Sequence, residues 1–290
     1  SHRKRASATP MNTMALYNAV CLKASRTTTH SYSTSFSLGI RSLDKRFHDP
    51  IHAIYGFVRF ADEIVDTFHG HSKAELLQRF WDDTHRAVAE GISLNPILHS
   101  FQGVVNQYGI EADLYDTFMS SMAMDLSDTQ HDEQSYATYI LGSAEVVGLM
   151  CLRVFCEGDD ARYQRLKPSA MKLGSAFQKV NFLRDLKDDH QNLGRTYFPD
   201  IDVKHMTGED RRAIEADIQA DFDAALSGIR DLPKGARFGV YVAYVYYLAL
   251  FRKIRSLPTD RILTERIRVR NRRKIALLTT SYLRHSLGML

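Results

Sequence analysis

The sequence is short of the features that usually announce a fold or a chemistry. Its 290 residues include three cysteines, one tryptophan and seven prolines. Cys21, Cys151 and Cys156 make no metal-ligand spacing and leave an odd thiol, which argues against a disulfide framework and for a reducing, cytoplasmic compartment. No 18 apolar residues run uninterrupted, so no membrane-spanning helix is expected. There is no G-x-G-x-x-G and no G-x-x-x-x-G-K-[S/T], and the 12 histidines form no H-E-x-x-H. Dinucleotide, P-loop and metalloprotease readings therefore have nothing to rest on. A net charge of +4 is too small to imply nucleic acid, and none is expected as a partner. Period-two strand pairs and Asn-Gly hairpins are missing, as is any Pro/Gly/Ser-rich linker.

What is present is helical periodicity from end to end. The apolar spacing predicts helices near 12–26, 50–67, 73–89, 96–108, 112–126, 133–156, 168–190, 208–230, 236–255 and 273–288. Pro50, Pro96, Pro168, Pro233 and Pro258 stand where helix starts or pre-helix turns are expected. Residues 1–10 are basic and polar and read as a flexible arm or cloning remnant, leaving 11–290 as one all-α domain. Its helices must surround something.

Two acidic stripes stand out within that pattern. At about 100° per residue, Gln178, Asn181, Asp185 and Asp189 fall in an arc of about 80° on one helix face. Asp62 and Asp66 continue the line of Ile51, Tyr55 and Val58 on a helix that is apolar nearly all round. Carboxylates on a buried helix, with Arg59 as the nearby intrahelical cation, are costly unless a partner neutralises them. The economical arrangement sets the two stripes across a cavity where they share divalent ions. Mg²⁺ fits best, because it takes carboxylate oxygens and keeps positions for substrate phosphates.

Weaker features point to the same cavity. Tyr32-Ser33-Thr34-Ser35-Phe36-Ser37 reads as a hydroxyl-rich turn able to donate to phosphate, or as an ordinary cap. Asp125 continues the line of Leu114 and Phe118 and is a core acid, a surface residue or a functional one. Small residues between Tyr139 and Gly148 open space on a helix face or permit close packing. Tyr247, in a run with Tyr241, Tyr244 and Tyr246, is core or reaches a phosphate through its hydroxyl. The basic run Arg266–Lys274 is a solvated connector or touches anionic lipid. Carboxylate-held Mg²⁺ would neutralise a diphosphate leaving group, and apolar walls would shelter a hydrocarbon cation. The reaction class inferred from the residues is ionisation of an allylic diphosphate.

Four motifs in order, Tyr32-Ser-Thr-Ser-Phe-Ser37, Tyr55–Asp66, Gln178–Asp189 and Gly194-Arg-Thr-Tyr-Phe-Pro199, resemble the phytoene synthase and squalene synthase family, in particular its bacterial phytoene synthases. The resemblance runs from about Tyr17 to the C-terminus. It implies an isoprenoid synthase helical bundle that joins two geranylgeranyl diphosphates head to head, through prephytoene diphosphate, to phytoene. It also implies that Asp62, Asp66, Asn181, Asp185 and Asp189 bind Mg²⁺, with Mn²⁺ as a substitute. Tyr32, Ser33, Thr34, Ser35, Tyr55, Arg59, Gln178, Arg184 and Tyr247 would contact substrate or its diphosphate. No NADPH is expected, and a hydrocarbon product implies transient contact with a membrane surface.

Two positions depart from the family pattern. Leu141 stands where relatives commonly carry a second tyrosine after the one matching Tyr139, and Arg270 stands where they often have proline. A squalene or dehydrosqualene synthase acting on farnesyl diphosphate is the alternative, and a non-enzymatic assembly factor of the same fold is the remote one.

Overall fold

The computed structural model describes residues 13–127, 132–192, 198–269, 277, 281 and 284, without the side chains of 188–192 and of Lys204. The 1–10 arm, most of the 273–288 helix, Arg270, residues 194–197 of the last motif and the Asp189 side chain lie outside that description. Among the described residues every regular element is helical. In chain order these are α1 Thr13–Tyr32, α2 Thr34–Arg41, α3 Lys45–Asp66, α4 Lys73–Glu90, α5 Pro96–Tyr108, α6 Ala112–Ser127 and α7 Glu133–Ile140. A π-helical turn, Leu141–Glu145, then leads into α8 Val146–Cys156. α9 Asp160–Asn192, a 3₁₀ turn Val203–His205, α10 Gly208–Asp231, α11 Lys234–Arg255 and α12 Thr259–Thr264 complete the order.

Local chemistry explains the starts. Asn95 accepts from the backbone N–H groups of Ile97 and Leu98 while Pro96 occupies the first turn of α5. Thr207 and Asp210 form a reciprocal capping box at α10. Pro50 and Pro168 do not start helices: both lie inside, because α3 begins at Lys45 under an Asp44 cap and α9 begins at Asp160. Pro50 is buried in the core whereas Pro168 is exposed, and each removes one backbone donor from its helix. The expected hydroxyl-rich turn is likewise α2, with Ser33 spent as its cap, accepting from Phe36 N at 3.1 Å.

Two apolar clusters form the interior. In one, the Phe57 ring stacks on Phe101 at 4.0 Å, with Phe80 and Phe118 alongside. Burying each such ring contributes about 2–3 kcal/mol. In the other, Phe222 of α10 meets Tyr244 and Phe251 of α11. Val240 packs against both clusters. The continuous run Glu133–Cys156 is by length and composition apolar enough to cross a membrane, but more than half of its apolar window is buried as core. Leu141 opens the π turn and packs against the first cluster.

Candidate active site

A cavity of about 640 Å³ lies between these clusters, with walls from α2, α3, α6, the α7–α8 run, α9 and α11. Ile51 and Asp66 of α3 both line it, so it follows that helix for about 22 Å. One end is apolar, with Leu43, Ile51, Cys151 and Phe155. The other is polar, and most of the expected site residues meet there. Tyr32, Ser33, Tyr55, Arg59, Asp62, Asp66, Gln178, Asn181, Arg184, Asp185 and Tyr247 all line the cavity; Thr34 and Ser35 do not. Asp125 also lines it, and accepts from Tyr139 Oη at 2.6 Å.

The stripes face this space because their spacing matches the helix. Asp62 is one turn below Asp66 on α3, and Gln178, Asn181 and Asp185 recur at i, i+3 and i+7 on α9. Asp62 touches solvent only partly, whereas Asp66, at the helix end, is exposed. Burial, reinforced by the negative charge of Asp66, pushes the Asp62 carboxyl up to about 8, against the opposing pull of Arg59. Burial likewise pushes the Tyr55 hydroxyl up to about 12. Tyr247 is buried and stacked on Phe177 at 4.0 Å.

Arginines balance part of the acid. Arg59 donates to Glu63 and lies over the Tyr32 ring, 4.3 Å from its centre. Arg184 grips its neighbour Asp185 through two hydrogen bonds of 2.9 and 2.5 Å. Arg266 reaches the same carboxylate at 3.1 Å and lines the cavity. Sequence reasoning placed Arg266 in a solvated or lipid-facing basic run. The missed signal is the alternation Arg266-Ile267-Arg268-Val269, in which Ile267 and Val269 are buried.

Two polar atoms at this end are buried without a hydrogen-bond partner, Arg59 Nε and Asn181 Oδ1. The first is a donor in need of an anionic oxygen, and the second an acceptor in need of a cation or a donor. Hard oxygens suit Mg²⁺ or Mn²⁺, although among the described residues no three acidic, His or Cys side chains form a ready ligand group.

The comparisons with known proteins agree with this geometry. The phytoene synthase of Rhodobacter capsulatus is 28% identical over 271 residues, 86% of this chain and 77% of that protein. The presqualene diphosphate synthase of Rhodopseudomonas palustris is 29% identical over 193 residues, 63% of this chain and 65% of that one. A dehydrosqualene synthase crystal structure superposes with a TM-score of 0.78 at 19% identity, covering 93% of this chain and 99% of that chain. A squalene synthase from Alicyclobacillus acidocaldarius gives 0.70 at 20% identity, over 83% of this chain and 95% of that one. These two likenesses establish an isoprenoid synthase fold. The squalene/phytoene synthase family model matches residues 29–273, and the chain therefore belongs to that family of prenyltransferase-type enzymes acting on prenyl diphosphates.

Proposed function

We propose that the chain is a phytoene synthase of carotenoid biosynthesis, joining two geranylgeranyl diphosphates head to head. The observation that carries the site reading is the pair of orphaned atoms, Arg59 Nε and Asn181 Oδ1, at the polar end of an otherwise apolar cavity. Asp62, Asp66, Asn181, Asp185 and Asp189 would hold Mg²⁺, or Mn²⁺ in its place. When bound, the ion neutralises the diphosphate leaving group. Arg59, Arg184 and Tyr32 would bind the diphosphate, with Arg184 held at the site by its two hydrogen bonds to Asp185. One substrate loses diphosphate, and the double bond of the second attacks the allylic cation. Loss of a proton closes the cyclopropane of prephytoene diphosphate. A second loss of diphosphate, rearrangement and loss of another proton give phytoene, with no hydride needed from NADPH. The apolar walls hold both chains and exclude water from the cations.

Incubating the protein with Mg²⁺ and either geranylgeranyl or farnesyl diphosphate, with and without NADPH, tests the assignment. Mass analysis of the hexane extract and the aqueous phase is expected to show a C40 hydrocarbon without NADPH. A C30 hydrocarbon would move the assignment to squalene or dehydrosqualene synthase, and a C30 cyclopropyl diphosphate to the activity named for the Rhodopseudomonas relative. The three cysteines are free, in keeping with a cytoplasmic setting. Because the product has no polar group, the reading includes transient contact with a membrane surface, and flotation with anionic liposomes is the check.

A further inference from the structure

We propose that Ser143 is a positioning residue for the diphosphate end of the cavity, holding the Gln178 carboxamide in place and, through it, the Asn181 carboxamide beside it. The proposal rests on the reading of that end as a cation and diphosphate site. Ser143 lies in the π-helical turn Leu141–Glu145, where i→i+5 hydrogen bonding widens the coil and brings both Ser143 and Ala144 to the cavity wall. The turn is wedged between two helices at positions that admit no side chain. A Cβ on Gly142 would sit 2.6 Å from Ser121 Cβ and 2.7 Å from the Thr117 carbonyl on α6. A Cβ on Gly174 of α9 would sit 2.7 Å from the Ala144 carbonyl. The Ser143 hydroxyl is therefore held at a fixed place on the wall.

From there the polarity passes along α9. Gln178 Nε2 donates to Ser143 Oγ at 3.0 Å. In this arrangement the Gln178 carbonyl oxygen lies on the other side, where it accepts from Asn181 Nδ2 at 3.4 Å. The Asn181 oxygen is left as the acceptor, buried and without a partner. A carboxamide turned end for end has nearly the same shape but presents donors, which would repel a cation and leave an anion's partner misplaced. Asn181 also hydrogen-bonds Tyr247, whereas among the described residues Gln178 is held by Ser143 and Asn181, so removing the Ser143 hydroxyl loosens Gln178 and weakens its hold on Asn181. Groups that orient ligating side chains in this way typically change metal affinity about 10- to 100-fold when lost.

The test is calorimetric binding of Mg²⁺ together with inorganic diphosphate, which does not depend on turnover. Ser143→Ala is expected to weaken binding about 10- to 100-fold with an unchanged unfolding midpoint, and Ser143→Thr, which keeps the acceptor, to restore it. In a Gln178→Leu background Ser143→Ala should add no further loss. Wild-type affinity in Ser143→Ala, or a full additional loss in the Gln178→Leu background, overturns the proposal. Failure of the wild-type protein itself to bind Mg²⁺ and diphosphate overturns the underlying reading of the site and the proposal with it.

Discussion

Helix α9 carries polar residues at the same i, i+3, i+7 spacing on two faces, and the two sets are treated oppositely. Towards α10, Lys172, Ser175 and Lys179 all donate to Asp221, at 2.9, 2.7 and 2.7 Å, and Lys179 also donates to Asp217 at 2.6 Å. Asp221 is 2% exposed, and these donors hold its carboxyl below the usual range against the upward push of burial. Towards the cavity, Gln178, Asn181 and Asp185 end in an orphaned oxygen and a carboxylate shared between two arginines. A buried polar set closed on itself holds two helices in register. One left partly open is a candidate site.

The largest effect tests the closed face. Asp221→Ala leaves Lys179 buried against Asp217 alone and is expected to cost about 3–5 kcal/mol in urea unfolding. Replacing Asp221, Lys179 and Ser175 together by apolar residues of similar size should recover most of that loss, as expected where a buried ion pair gives register rather than net stability. On the open face the outcome reverses. Asp185→Asn should lower product formation about 10²–10³-fold, or 2.7–4 kcal/mol in the barrier, with little change in unfolding. Retained Mg²⁺-dependent turnover would remove Asp185 from the proposed metal set.

A neutral case sharpens the contrast. His52 of α3 is buried, with its Nδ1 2.9 Å from Thr29 Oγ1, and burial, helped by nearby His30, lowers its pKa to about 4. The unfolded chain takes up a proton at about 6.5 and the folded chain only near 4. His52 therefore favours folding fully above about pH 6.5, and that contribution is lost as pH falls towards 4, to the extent of about 2–3 kcal/mol. A His52→Gln variant should flatten this part of the stability profile between pH 4 and 6.5. The smallest effect concerns the π turn. Gly174→Ala drives a methyl group against the Ala144 carbonyl and should cost about 1–2 kcal/mol while shifting the cavity wall.

The open face was readable in the sequence because its spacing is local: one helix period sets Asp62 over Asp66 and aligns Gln178, Asn181 and Asp185. The closed face was not, since Lys179 and Asp221 are 42 residues apart and neither neighbourhood names the other. Pro96 was read correctly because Asn95 beside it supplies the cap, whereas Pro50 and Pro168 sit in helices whose stability comes from tertiary packing. α2 was hidden by its own hydroxyls, which favour turns as much as caps. Arg266 was hidden by its basic neighbours, and only the folded chain turns it towards Asp185.

Cys151 gives the cavity wall a chemical property of its own. Burial pushes its thiol up to about 12, so near pH 7 the sulfur stands as the neutral thiol. As a thiol it is soft, polarisable lining, and the sulfur serves the apolar end of the cavity as packing rather than as a nucleophile.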